Sequence, residues 1–114
     1  MLAANDFSVL LVGPLRPFLQ ELRTNLLQSG GMEVVFALDP ESVLDLAVEL
    51  RPNIVLLDRH WDQVDAGLFS DLVQALVPSV WILDVDGEIL RRPEAAGGVE
   101  ILQSVVAAMD RATG

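Results

Sequence analysis

Residues 51–58 read Arg51-Pro52-Asn53-Ile54-Val55-Leu56-Leu57-Asp58. A continuous apolar run from Ile54 to Leu57, entered through Pro-Asn and left through a carboxylate, predicts a short strand covered on both faces. Such strands belong to parallel sheets, whose crossover helices pack on both sides. An acidic side chain directly after the strand lies at the carboxyl end of the sheet, where open α/β proteins place their chemistry. Asp58 is therefore the first candidate site residue.

The flanking sequence alternates in the same sense. Phe7 to Val12 is another continuous apolar run rich in strand-forming residues, ended by Gly13-Pro14. Pro17 suits an early helical position, and Phe18, Leu19, Leu22 and Leu26 recur at helical spacing until Gly30-Gly31. Met32 to Ala37 predicts a second strand. Asp39-Pro40-Glu41 reads as a helix start, and Leu44, Ala47, Val48 and Leu50 form the stripe of a helix that Pro52 ends. After Asp58 comes a polar loop, then a helix over Ala66 to Leu76 with Leu68, Leu72, Val73 and Leu76 expected inward. Pro78 precedes a fourth strand, Val80 to Leu83. This βαβαβαβ order implies a parallel sheet with right-handed crossovers.

The remainder breaks the pattern. Asp86-Gly87 between apolar runs is a hairpin signal, and the few residues between Leu83 and Ile89 are too short for a parallel crossover. The last strand, Ile89-Leu90-Arg91, is expected to return antiparallel. A loop through Gly97-Gly98 then leads to a final helix over Val99 to Arg111 that buries Ile101, Leu102, Val105, Val106 and Met109.

Composition excludes several function classes. The chain has 114 residues, a length expected of one domain spanning 1–114. Its formal charge is −10, all its basic residues are arginines, and it has no cysteine. A polyanion would be repelled, so no nucleic-acid partner is expected. Without lysine there is neither Schiff-base chemistry nor a P-loop, and without cysteine neither a disulfide nor a thiolate metal site. No apolar run approaches the roughly 18 residues of a membrane span, and Met1 to Asp6 carry no signal-peptide pattern, so no membrane partner and a cytoplasmic location are expected. A mean hydropathy of +0.44 is high for so acidic a chain and points to apolar surface covered by a partner or a second copy.

The stretch up to Leu83 resembles a response-regulator receiver domain of the CheY-like family. The resemblance rests on the alternation, the short second strand, Arg51 to Asp58, and Asp65-Ala66-Gly67-Leu68 before the third helix. It implies a flavodoxin-like three-layer αβα sandwich. Here the parallel sheet would have about four strands, an antiparallel last strand and no fourth helix. It also implies that Asp58 is phosphoacceptor-like. In the family an acidic pair ends the first strand, a Thr or Ser ends the fourth, and a Lys precedes a Pro after the fifth. This chain offers Gly13 and Pro14, Asp84, and Arg92-Pro93 at those places. The antiparallel return carries Arg92 to the other end of the sheet from Asp58. Gly13, Pro14 and Asp84 thus make a degenerate pocket. Phosphoryl transfer to a carboxylate needs a divalent cation, and one carboxylate makes a poor magnesium site. The resemblance therefore implies a pseudo-receiver of a two-component system, with no cofactor, no metal and no catalytic residue.

Two other readings stand beside it. Asp58 is phosphorylated through an unorthodox site that borrows Asp84 or Asp62, or the Asp58/Asp84 pair serves a small metal-dependent hydrolase. Against both, Asp58 reads plainly as a carboxylate capping its loop, Asp84 and Asp86 as hairpin-turn acids, and His60 as an exposed loop residue. Trp61, Trp81, Ile89 and Leu90 are the candidate contacts to a protein partner, with a homodimer through the hairpin and last helix expected.

Overall fold

The computed structural model describes residues 7–14, 17–28, 32–58, 61, 64–86, 88–93, 103, 106 and 107. Among them the chain forms strands β1 (Phe7–Val12), β2 (Met32–Ala37), β3 (Ile54–Leu57), β4 (Trp81–Asp84) and β5 (Ile89–Arg91). Helices α1 (Pro17–Gln28), α2 (Pro40–Leu50) and α3 (Ala66–Leu76) intervene, and Gln103, Val106 and Ala107 are also helical. The rest of the expected final helix, with Gly97-Gly98, His60, Asp62 and Gly87, lies outside the described residues.

The strands form one mixed sheet in the order β2-β1-β3-β4-β5. β1 pairs parallel with β2 and β3, β3 pairs parallel with β4, and β5 returns antiparallel on β4. Order and helix placement are compatible with a flavodoxin-like fold. The departure is at the end, where the expected antiparallel return replaces a helical crossover. A register shift between Ile82 and Leu83 marks an irregularity in that pairing.

Two cores sandwich the sheet. α1 packs Leu19, Leu22 and Leu26 on one face, against Val9, Leu11, Ile54, Leu56 and Leu83. α2 and α3 pack Val43, Ala47, Phe69 and Val73 on the other, against Leu10, Val12, Val55, Leu57 and Ile82. Alternate residues of each strand serve alternate cores, as the pleat requires. That is why β3 reads as unbroken Ile-Val-Leu-Leu, with all four side chains buried. The helical residue Val106 packs on the α1 side.

Local chemistry sets the element boundaries. Asp39 caps α2, its carboxylate accepting from the Ser42 amide at 2.9 Å and the Ser42 hydroxyl at 2.8 Å. Asp65 caps α3 by accepting from the Leu68 amide at 3.0 Å. α2 ends at Arg51 in the left-handed region (φ 47°), its amide donating to the Ala47 carbonyl before Pro52 stops the helix. Asn53 then ties three strands together. Its side chain accepts from the Ser8 amide at 2.8 Å, its amide donates to the Ser8 carbonyl at 2.9 Å, and its carbonyl accepts from the Trp81 amide at 2.9 Å.

Three expectations are corrected. In α3 the inward residues are Phe69, Ser70 and Val73, while Leu68, Leu72 and Leu76 face out. The helix carries two apolar stripes one residue apart, and the structure buries the aromatic and β-branched one. In α2, Val43 and Ala47 are buried and Val48 is exposed. β4 also runs one residue later than expected, so Asp84 is its last residue.

Candidate functional site

The carboxyl ends of β1 and β3 lie side by side, with Val12 in register with Leu57. Here the chain order reverses: β2 lies on one side of β1 and β3 on the other, with α1 and α2 on opposite faces. Open α/β sheets form their binding crevice at such a switch point. Gly13 and Asp58 are the residues that leave the two strands there.

Asp58 is held by its backbone. Its amide donates to the Val12 carbonyl at 2.9 Å, and its carbonyl accepts from the Trp61 amide at 3.0 Å. The residue is only 2% exposed. Its side chain leans over Gly13: a Cβ added there would lie 2.9 Å from Asp58 Cβ and 3.0 Å from Leu19 Cδ1. Real Cβ atoms essentially never approach another heavy atom that closely. The space that a side chain at position 13 would need is filled by Asp58 and α1. Pro14, next along, is half-buried.

Asp84 is fully buried at the end of β4. Its amide donates to the Glu88 carbonyl at 2.7 Å, and its Oδ1 accepts from the Asp86 amide at 2.6 Å. This is the local side-chain-to-backbone bond of an Asx turn, and it starts the hairpin into β5. Although β3 and β4 are neighbours with Leu57 in register with Asp84, the two aspartates do not converge. Leu57 packs with the α2/α3 core, so Asp58 points to the α1 side, where its Cβ lies over Gly13. Leu83 packs with the α1 core, so Asp84 points to the α2/α3 side. The pleat does not favour the alternative in which the two carboxylates share a site, and Asp84 takes the hairpin-turn place that its sequence suggested.

Among the described residues no group of three or more His, Asp or Glu side chains is placed to hold a metal ion. Asp65 spends its carboxylate on the α3 cap. Asp58 is a buried carboxylate packed over Gly13.

The candidate partner contacts lie partly in the core. Trp61 and Trp81 are buried core residues, one in each cluster. Ile89 and Leu90 are half-buried, packed against opposite cores. None of the four offers a large free apolar surface. The surface that does lies on α3, where Leu68, Leu72 and Leu76 are 60%, 44% and 42% exposed. The sequence signal for it was the double apolar stripe of that helix.

A scan against protein-family models returned no match for this chain, and no curated protein matches its sequence. Among the described residues no helix is long and apolar enough to cross a membrane.

Proposed function

We propose that this chain is an atypical receiver-like domain, CheY-like in descent, belonging to a cytoplasmic signal-transduction protein. It acts through contact with a protein partner and not through magnesium-dependent phosphotransfer. The observation that carries the reading is the packing of Gly13 against Asp58. A receiver-type site needs a carboxylate from the end of β1 to share a cation with the acceptor aspartate. At Gly13 even a methyl group would collide with Asp58 Cβ. Two further features support the reading. Asp58 is almost wholly covered, and Asp84, standing where the family has a hydroxyl, is committed to its own turn on the other side of the sheet. The burial of Asp58 restricts access for a phosphoryl donor, and Gly13 supplies no second carboxylate from β1.

The test is incubation with acetyl phosphate or a phosphoramidate in the presence of magnesium, followed by intact-mass measurement. The mass is expected to stay unchanged. A gain of about 80 Da, one phosphoryl group, that disappears in Asp58→Asn would overturn the reading.

A further inference from the structure

From the outer face of α3 we infer that the chain self-associates there, as a two-fold dimer centred on Leu72. This deepens the contact-module reading by naming its partner, and it rests on that reading. The tests remain separable, because intact mass reads Asp58 and sedimentation reads α3.

α3 is apolar on both faces. Phe69 and Val73 enter the core, while Leu68, Leu72 and Leu76 form a second row at i, i+4 and i+8 that faces out. Asp71 and Gln74 interrupt the outer surface of the helix, but the leucine row is a contiguous apolar strip that a further contact can cover. The described part of the C-terminal segment does not cover this row, since Val106 packs on the opposite side of the sheet.

Charge selects the occupant. Two copies of a chain with formal charge −10 repel wherever carboxylates face each other. Between Ala66 and Pro78 the only ionisable side chain is Asp71, and Arg91 neutralises it, with Nη2 at 2.8 Å and Nε at 3.0 Å from Asp71 Oδ1. The leucine row itself is thus free of unpaired charge, with the Asp65 cap at one end and Arg92 beside Gln74 at its border. The contrast is α2, which exposes Glu41, Asp45 and Glu49. A cationic partner would be drawn to α2, whereas a second acidic copy is repelled least at α3.

Shape agrees. An open groove of about 420 Å³, lined by Asp71, Gln74, Ala75 and Pro78, runs along α3. Ala75, three residues beyond Leu72, gives that groove a small floor beside the leucine row. A row at i±4 spacing packs into the matching groove of an identical helix at a crossing of roughly −50°. With the axis at Leu72, Leu68 of each copy faces Leu76 of the other. One helix face is less than a standard interface, so a weak dimer in the micromolar range is expected.

Sedimentation of the full chain tests this. At roughly 100 μM the protein is expected to dimerise, and more tightly in about 0.5 M salt than at low salt, because screening relieves the repulsion of like charges. Leu72→Asp is expected to weaken association about tenfold or more with an unchanged circular-dichroism spectrum. Leu27→Asp, at an exposed leucine of α1, is expected to leave it intact. Because the chain has no cysteine, Leu72→Cys provides a second readout: mild oxidation is expected to link two copies covalently, and Leu27→Cys is not. A wild type that stays monomeric at both salt concentrations overturns the inference, as does a dimer that loosens with added salt. So does a Leu72→Asp variant that associates like the wild type.

Discussion

At Gly13 the absence of a side chain is a packing requirement. The contacts a Cβ would meet there are Asp58 Cβ and Leu19 Cδ1, in a corner closed by β1, β3 and α1. Adding even one methyl group to such a corner forces side chains off their rotamers or shifts backbone, typically at a cost of about 1–3 kcal/mol. Gly13→Ala is therefore expected to lose that much stability in urea unfolding, with an unchanged denaturant slope. Gly13→Asp, which would restore a carboxylate beside Asp58, is expected to lose more. Loss of less than about 0.5 kcal/mol for the alanine variant would mean that the corner is looser than its geometry. The two residues of the site differ in how far they could be read in advance. Asp58 declared itself by standing after four apolar residues. Gly13 followed by Pro14 reads equally well as a strand terminator, and only its distance to Asp58 reveals what the missing Cβ makes room for.

The helices differ in what holds their ends. In α2 the Ser42 hydroxyl, and next the Ser42 amide, hold the Asp39 carboxyl below its usual range. A carboxylate whose folded pKa is lowered contributes stability above its unfolded pKa, near 3.8, and loses it as pH falls through the lower folded value. The stability gap between wild type and Asp39→Ala is thus expected to be constant near neutrality and to close below about pH 4. A gap that persists undiminished in acid would show that the cap does not depend on the charge. This capping motif was legible, because Asp-Pro-Glu before an apolar stripe permits few other readings. The facing of α3 was not. Leu68, Leu72 and Leu76 compete with Phe69 and Val73 for the core, and periodicity cannot rank two rows of similar apolarity. Tertiary packing decides in favour of Phe69, which is buried in the same core cluster as Val55 and Ile82. The sheet was easier, since unbroken apolar strands have one natural environment. The antiparallel return of β5 followed from the Asp86-Gly87 turn signal and the shortness of its connection.

Over the whole molecule, charge works against the fold. Its 17 acidic residues face 7 basic ones, so the folded chain carries a self-repulsion that added salt screens. The melting temperature is expected to rise between low salt and about 0.5 M sodium chloride, in the Leu72→Asp variant as well as in the wild type. A rise confined to the wild type would assign the effect to association instead. The hairpin that closes the sheet has a different consequence. β5 is three residues long, its pairing with β4 is irregular, and it ends in Arg91 with Arg92 and Pro93 next in the chain. A short edge strand guarded by cations and a residue with no amide hydrogen is a poor template for further strands. The antiparallel return therefore acts as a stop, protecting an apolar sheet from open-ended growth into fibrils along that edge.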